Sequence, residues 1–149
     1  MTRAALQSLV VPAAVFPLLA SLPFAVSVWP SWEEGEGPKG EFKLIEGPQG
    51  WGARAGDRYH DEVSVSVYSC ATLREAVRDA LLLRAEKCAS TALVHTVAAK
   101  RLRNPFRKGA ALTQAEKLRA DAAQIQETMR ALEAAWPEES APRAPGEPE

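Results

Sequence analysis

Successive stretches of this chain carry different patterns of hydrophobic and polar positions. From Ala4 to Trp32 no residue is charged. A helix needs about 20 apolar residues to cross a hydrocarbon core, so the run predicts a single transmembrane helix within residues 1–32. Pro12, Pro17 and Pro23 would kink it, which suits a helix packed against protein better than one facing lipid. Trp29 and Trp32 stand where membrane-interface anchors belong, and Glu33, Glu34 and Glu36 end the run. Two other readings fit the same pattern. One is a cleaved signal peptide, with Arg3 ahead of the run, Ala25-Val26-Ser27 as a small-residue cleavage site and a mature chain from near Val28. The other is an apolar arm buried in a complex.

Periodicity fades over residues 33–71. Residues 33–58 hold seven of the nine glycines. Gly37-Pro38-Lys39-Gly40 and Gly47-Pro48-Gln49-Gly50 are turn chemistry, and Glu41–Glu46 between them is a candidate short strand. Val63-Ser64-Val65-Ser66-Val67 alternates with the period of a half-buried strand. The two pieces are candidates to pair, but an isolated ribbon is marginal in water. The expectation here is an extended Gly/Pro-rich segment with little β structure, lying on a neighbour.

Helical patterning takes over in residues 72–136. Thr72-Leu73-Arg74-Glu75 fits a capping box, and the helix it opens runs over about 73–103, until Asn104-Pro105. Leu73, Val77, Leu81, Cys88, Ala92 and Leu102 form one apolar stripe. Leu82, Leu93, Val94 and Val97 add apolar character elsewhere, which predicts burial on more than one side. A second box, Thr113-Gln114-Ala115-Glu116, opens a helix over about 114–135. Its packing seam of Ala115, Leu118, Ala122, Ile125, Met129, Leu132 and Trp136 steps alternately by three and four. The two helices predict an antiparallel hairpin, followed by a Pro/Glu-rich tail of disordered type over 137–149. The fold expected is mainly α.

Composition narrows the functional classes. With the ends and the Gly/Pro segment set aside, the remaining core is small enough to call for a partner. Net charge is −1 but unevenly spread. Lys100, Arg101, Arg103, Arg107 and Lys108 fall within nine residues, and no acid lies between Ala89 and Ala115. A helix C-terminus accounts for part of this cluster. The rest is either a solvated basic surface or a site for anionic lipid or an acidic partner, and RNA phosphate is the further alternative. Catalytic signals are sparse. GxxxxGK[ST] and HExxH are absent and no GxGxxG opens a helix, so nucleotide and metal-hydrolase sites are not indicated. Cys70 and Cys88 have no metal-ligand spacing and read as small apolar residues without a bridge. His60-Asp61-Glu62 would point to alternate faces of a strand, and Cys88 and His95 lie about 10 Å apart along one helix, too far for a nucleophile–base pair.

These readings predict a non-catalytic accessory subunit of a multisubunit membrane complex. The setting expected is a mitochondrial inner-membrane respiratory or ATP synthase assembly, or else a thylakoid or other membrane. Its partners would be the other subunits and membrane lipids, with no cofactor and no small-molecule substrate. The alternatives are a peripheral ribosomal or other RNA-associated subunit using residues 100–108, and a secreted helical protein.

Overall fold

The structure, a computed structural model, describes residues 11–31, 34–36, 42–44 and 50–137. Trp32 and the tail beyond Pro137 lie outside the described residues. In chain order the elements are α1 (Val15–Ala20), β1 (Val26–Ser31), β2 (Glu34–Glu36), β3 (Phe42–Leu44), β4 (Gly50–Ala55), β5 (Val65–Cys70), α2 (Leu73–Arg101) and α3 (Pro105–Ala135).

The apolar run does not form one long helix. No helix among the described residues is long and apolar enough to cross a membrane. The prolines and the valines explain why. Pro17 is accommodated because it sits in the first turn of α1, where a missing N–H costs nothing. Ser21 ends that helix, its Oγ donating to Leu18 O at 2.7 Å. Beyond Pro23, the alternation Val26-Ser27-Val28 is taken up by a strand. Trp29 therefore lies on β1 and not on a helix. Its ring packs 5.9 Å from that of Tyr68, and the Arg54 guanidinium lies 5.4 Å from its centroid. Gly52 sits directly beneath the indole, where any Cβ would collide with the ring.

The Gly/Pro segment also holds more β structure than expected. β4 pairs antiparallel with both β1 and β5, giving the order β1-β4-β5. Phe42–Leu44 is a strand as the turn chemistry suggested, but it pairs with β2 and not with the valine-rich strand. The missing partner for that strand is Gly50–Ala55, whose glycines and alanines leave only Trp51 and Arg54 to show a period of two.

Two long helices form the hairpin. Thr72 caps α2 and accepts from Glu75 N at 3.1 Å. Only Leu102, Arg103 and Asn104 separate α2 from α3. The second helix starts at Pro105, and Asn104 Oδ1 accepts from Phe106 N at 2.9 Å and Arg107 N at 3.4 Å. Thr113 is therefore an interior residue, and the expected connection between the helices is helix from Pro105 onward. Two rules competed here. Proline after asparagine both stops one helix and supplies the preferred first residue of the next, and that outweighed the Thr113 box. Gly109, inside α3, was not enough to break it.

One core unites these elements. Val15, Leu22, Trp51, Ala53, Ala55 and Val63 pack with Leu73, Val77, Leu81 and Cys88 of α2 and with Ile125, Leu132 and Trp136 around α3. Buried alanines at 76, 80, 85, 92, 99 and 115 let backbone approach backbone closely. Residues 11–31 are thus part of the same packed unit as the hairpin.

Candidate interaction surfaces

The chemistry-bearing residues gather in two places. The first is a polar cluster at the waist of the molecule, where the loop between β4 and β5 meets both helices. Arg84 is buried, its position falling on the apolar stripe between Leu81 and Cys88. Its Nη1 donates to Asp61 Oδ2 at 2.5 Å and to Ala55 O at 3.1 Å, and its guanidinium lies 3.8 Å from the centre of the Phe24 ring. Asp61 Oδ1 in turn accepts from Val63 N at 3.1 Å, closing a tight turn. Gly56 completes the arrangement with φ of +115° and its N–H on Ala25 O at 2.9 Å. A side chain at Gly56 would strike Arg84 and Asp61.

Next to this ion pair, Glu62 Oε1 bridges the helices. It meets His95 Nε2 at 3.2 Å and Gln114 Nε2 at 3.1 Å. His60, Asp61, Glu62, Gln114, Lys117 and Asp121 border an open polar cleft. Among the described residues no group of three or more His, Cys, Asp or Glu is arranged to hold a metal. Both cysteines are free. Burial pushes the Cys70 thiol above its ordinary pKa, and Asp79 and Glu75 add to the shift. Burial does the same to Cys88, with Arg84 opposing and Asp121, Asp61 and Glu62 assisting. Thiols held protonated in this way are poor nucleophiles.

The second place is the free end of the hairpin. His95 and Gln114 make the last side-chain hydrogen bonds between the hairpin and the rest of the described fold. Past them, among the described residues, the two helices run on with only each other for support. From His95 to Leu102 is about 10 Å of helix. Lys100, Arg101, Arg103, Arg107 and Lys108 are all exposed there, and none has a hydrogen bond or ion pair from its side chain among the described residues. Phe106 stands among them, 88% exposed. Leu93, Val94 and Val97 form an exposed apolar stripe along α2 that leads toward this end, with Leu82 and Leu83 behind it.

The expected seam residues are divided by burial. Ala115, Leu118, Ile125, Leu132 and Trp136 are buried, while Ala122 and Met129 are partly buried against the same core. The residues expected to be buried on a second side, Leu82, Leu93, Val94 and Val97, are instead open to solvent. Among the described residues no element covers that side of α2. The Asp61–Arg84 pair was missed from the sequence although a signal existed. A single arginine on an otherwise apolar helical stripe requires a buried acid, and Asp61 is the one the loop delivers. Compared with known protein families, curated proteins and solved structures, this chain matches none.

Proposed function

We propose that this protein is a non-catalytic accessory subunit of a larger assembly, and that it docks through the free end of its helical hairpin onto an acidic protein surface. The supporting observation is the concentration of exposed cations around Phe106. Five positive side chains lie at one end of a chain whose net charge is −1. Such an uncompensated field steers an acidic partner and sets its register more than it supplies affinity. Phe106 gives the tip an apolar anchor of the kind that carries binding energy at interface centres. The non-catalytic part of the reading draws on the cysteines being held as thiols and on His95 being occupied by Glu62. That the assembly is a membrane one, such as a mitochondrial inner-membrane complex, belongs to the proposal on composition alone, because Val15 and Leu22 are already spent in the chain's own core.

The test is mild-detergent extraction of the tagged full chain from its own cells, followed by a native gel and mass spectrometry. Migration in a large complex is expected. Reversing Arg103 and Arg107 to Glu is expected to remove the chain from that band and to weaken the salt dependence of what remains. A wild-type chain running at its own mass refutes the accessory role. A band indifferent to the double reversal refutes the tip as the docking site. Release by salt or carbonate without detergent removes the membrane from the reading.

A further inference from the structure

From a surface that shares only Arg101 with the tip, we infer that α2 carries a self-complementary stripe and that its occupant is a second copy of this chain, packed antiparallel about a two-fold axis. The stripe runs from Glu86 through Ser90, Leu93 and Val97 to Arg101, with Val94 on its flank, and all six residues are exposed. Successive steps of three and four place them within one face of the helix. Leu93 and Val94 are 62% and 65% exposed, well beyond what an isolated packing defect leaves open. Neither Glu86 nor Arg101 has a hydrogen bond or ion pair among the described residues.

The charges identify the occupant. Glu86 and Arg101 close the stripe at opposite ends, about 22 Å apart along the axis, and the Leu93–Val94 peptide lies midway between them. A two-fold axis through that midpoint sets Glu86 of each copy opposite Arg101 of the other. Leu93 then lies beside Val94, and Ser90 beside Val97. Both ends are satisfied by one operation, which is what an isologous interface requires. A parallel pairing instead places Glu86 beside Glu86 and Arg101 beside Arg101, and the like charges repel. Lys87, the next cation along, is turned aside and donates to Ser64 O at 3.1 Å. Small residues at Ala89 and Ala98 flank the stripe, so two helices can approach closely. The axis crosses α2 nearer its end at Arg101 than its start at Leu73, so each tip lies beside the first half of α2 in the other copy.

Sedimentation equilibrium of the full chain from about 1 to 100 µM tests the inference, with circular dichroism to establish that each variant keeps its helices. Wild type is expected to dimerise in that range, and L93E/V97E to stay monomeric throughout. E86R and R101E are each expected to weaken the dimer by roughly tenfold, since each converts two ion pairs into two repulsions. The double variant E86R/R101E, which restores both pairs with their signs exchanged, should recover to within about threefold of wild type. A monomeric wild type at 100 µM overturns the inference, as does a dimer that survives L93E/V97E or a double variant no better than the single ones. The readout is self-association of the pure chain and needs no acidic partner, so failure of the tip and failure of the stripe are separable.

Discussion

Asp61→Ala leaves the Arg84 guanidinium buried without its counter-ion, and the consequence for stability follows from where the two groups sit. Loss of one partner from a fully buried ion pair costs about 3–5 kcal/mol. Here the Arg84 side chain is 5% exposed and that of Asp61 19%, so water reaching the vacated acid site relieves part of the penalty. Arg84 also keeps Ala55 O and the Phe24 ring. We therefore expect a loss of about 2–3 kcal/mol, or roughly 8–12 °C in Tm for a folded unit of this size. Part of that loss belongs to the turn bond from Val63 N, which the same substitution removes. The second arm of the cycle separates the two. Arg84→Met fills the volume with an apolar chain and leaves Asp61 partly solvated, at a cost of about 1–2 kcal/mol. If the charge pair is what matters, the double variant D61A/R84M is barely worse than R84M alone, and urea denaturation followed by circular dichroism gives a coupling of at least about 1.5 kcal/mol. Additivity within about 0.5 kcal/mol would refute the account and make Asp61 a turn residue only.

The helix boundaries give two further expectations. Asn104→Ala should cost about 1 kcal/mol by removing the cap of α3, whereas Thr113→Ala, inside the same helix and exposed, should stay within about 0.5 kcal/mol; thermal unfolding distinguishes them. Gly109→Ala should stabilise by about 0.5–1 kcal/mol, because the position is helical and nothing lies within 4 Å of the added Cβ; a drop in stability would show that α3 starts later than Pro105. The cysteines carry a pH expectation. Folding raises both thiols above their ordinary pKa, so the native state gains nothing from them below about pH 9 and loses stability as pH rises past it. Maleimide labelling at pH 8 should therefore reach half-buried Cys70 first and Cys88 only in denaturant, and fast labelling of both would contradict the packing of Cys88.

Local rules were enough to read part of this fold. The Thr72 box and the three-and-four spacing of Leu118, Ile125, Leu132 and their neighbours specify a helical hairpin, because capping and amphipathic period are properties of short stretches of chain. The valine alternation at 63–67 likewise announces a strand. Local rules also misled where two of them overlapped, as at Asn104-Pro105 and Thr113. What the sequence alone left open was every pairing over distance. Gly50–Ala55 has too little side chain to reveal that it is the central strand. The apolar run Val11–Ser31 does not announce a short helix and a strand, and only the tertiary structure shows Val15 and Leu22 in one core with the hairpin. Arg84 meets Asp61 because the loop after β4 turns back at Gly56, a contact between residues far apart in sequence. The exposed stripe from Glu86 to Arg101 is decided in the same way. A hydrophobic period states that a face wants covering, and only the tertiary structure tells which face the described elements leave exposed.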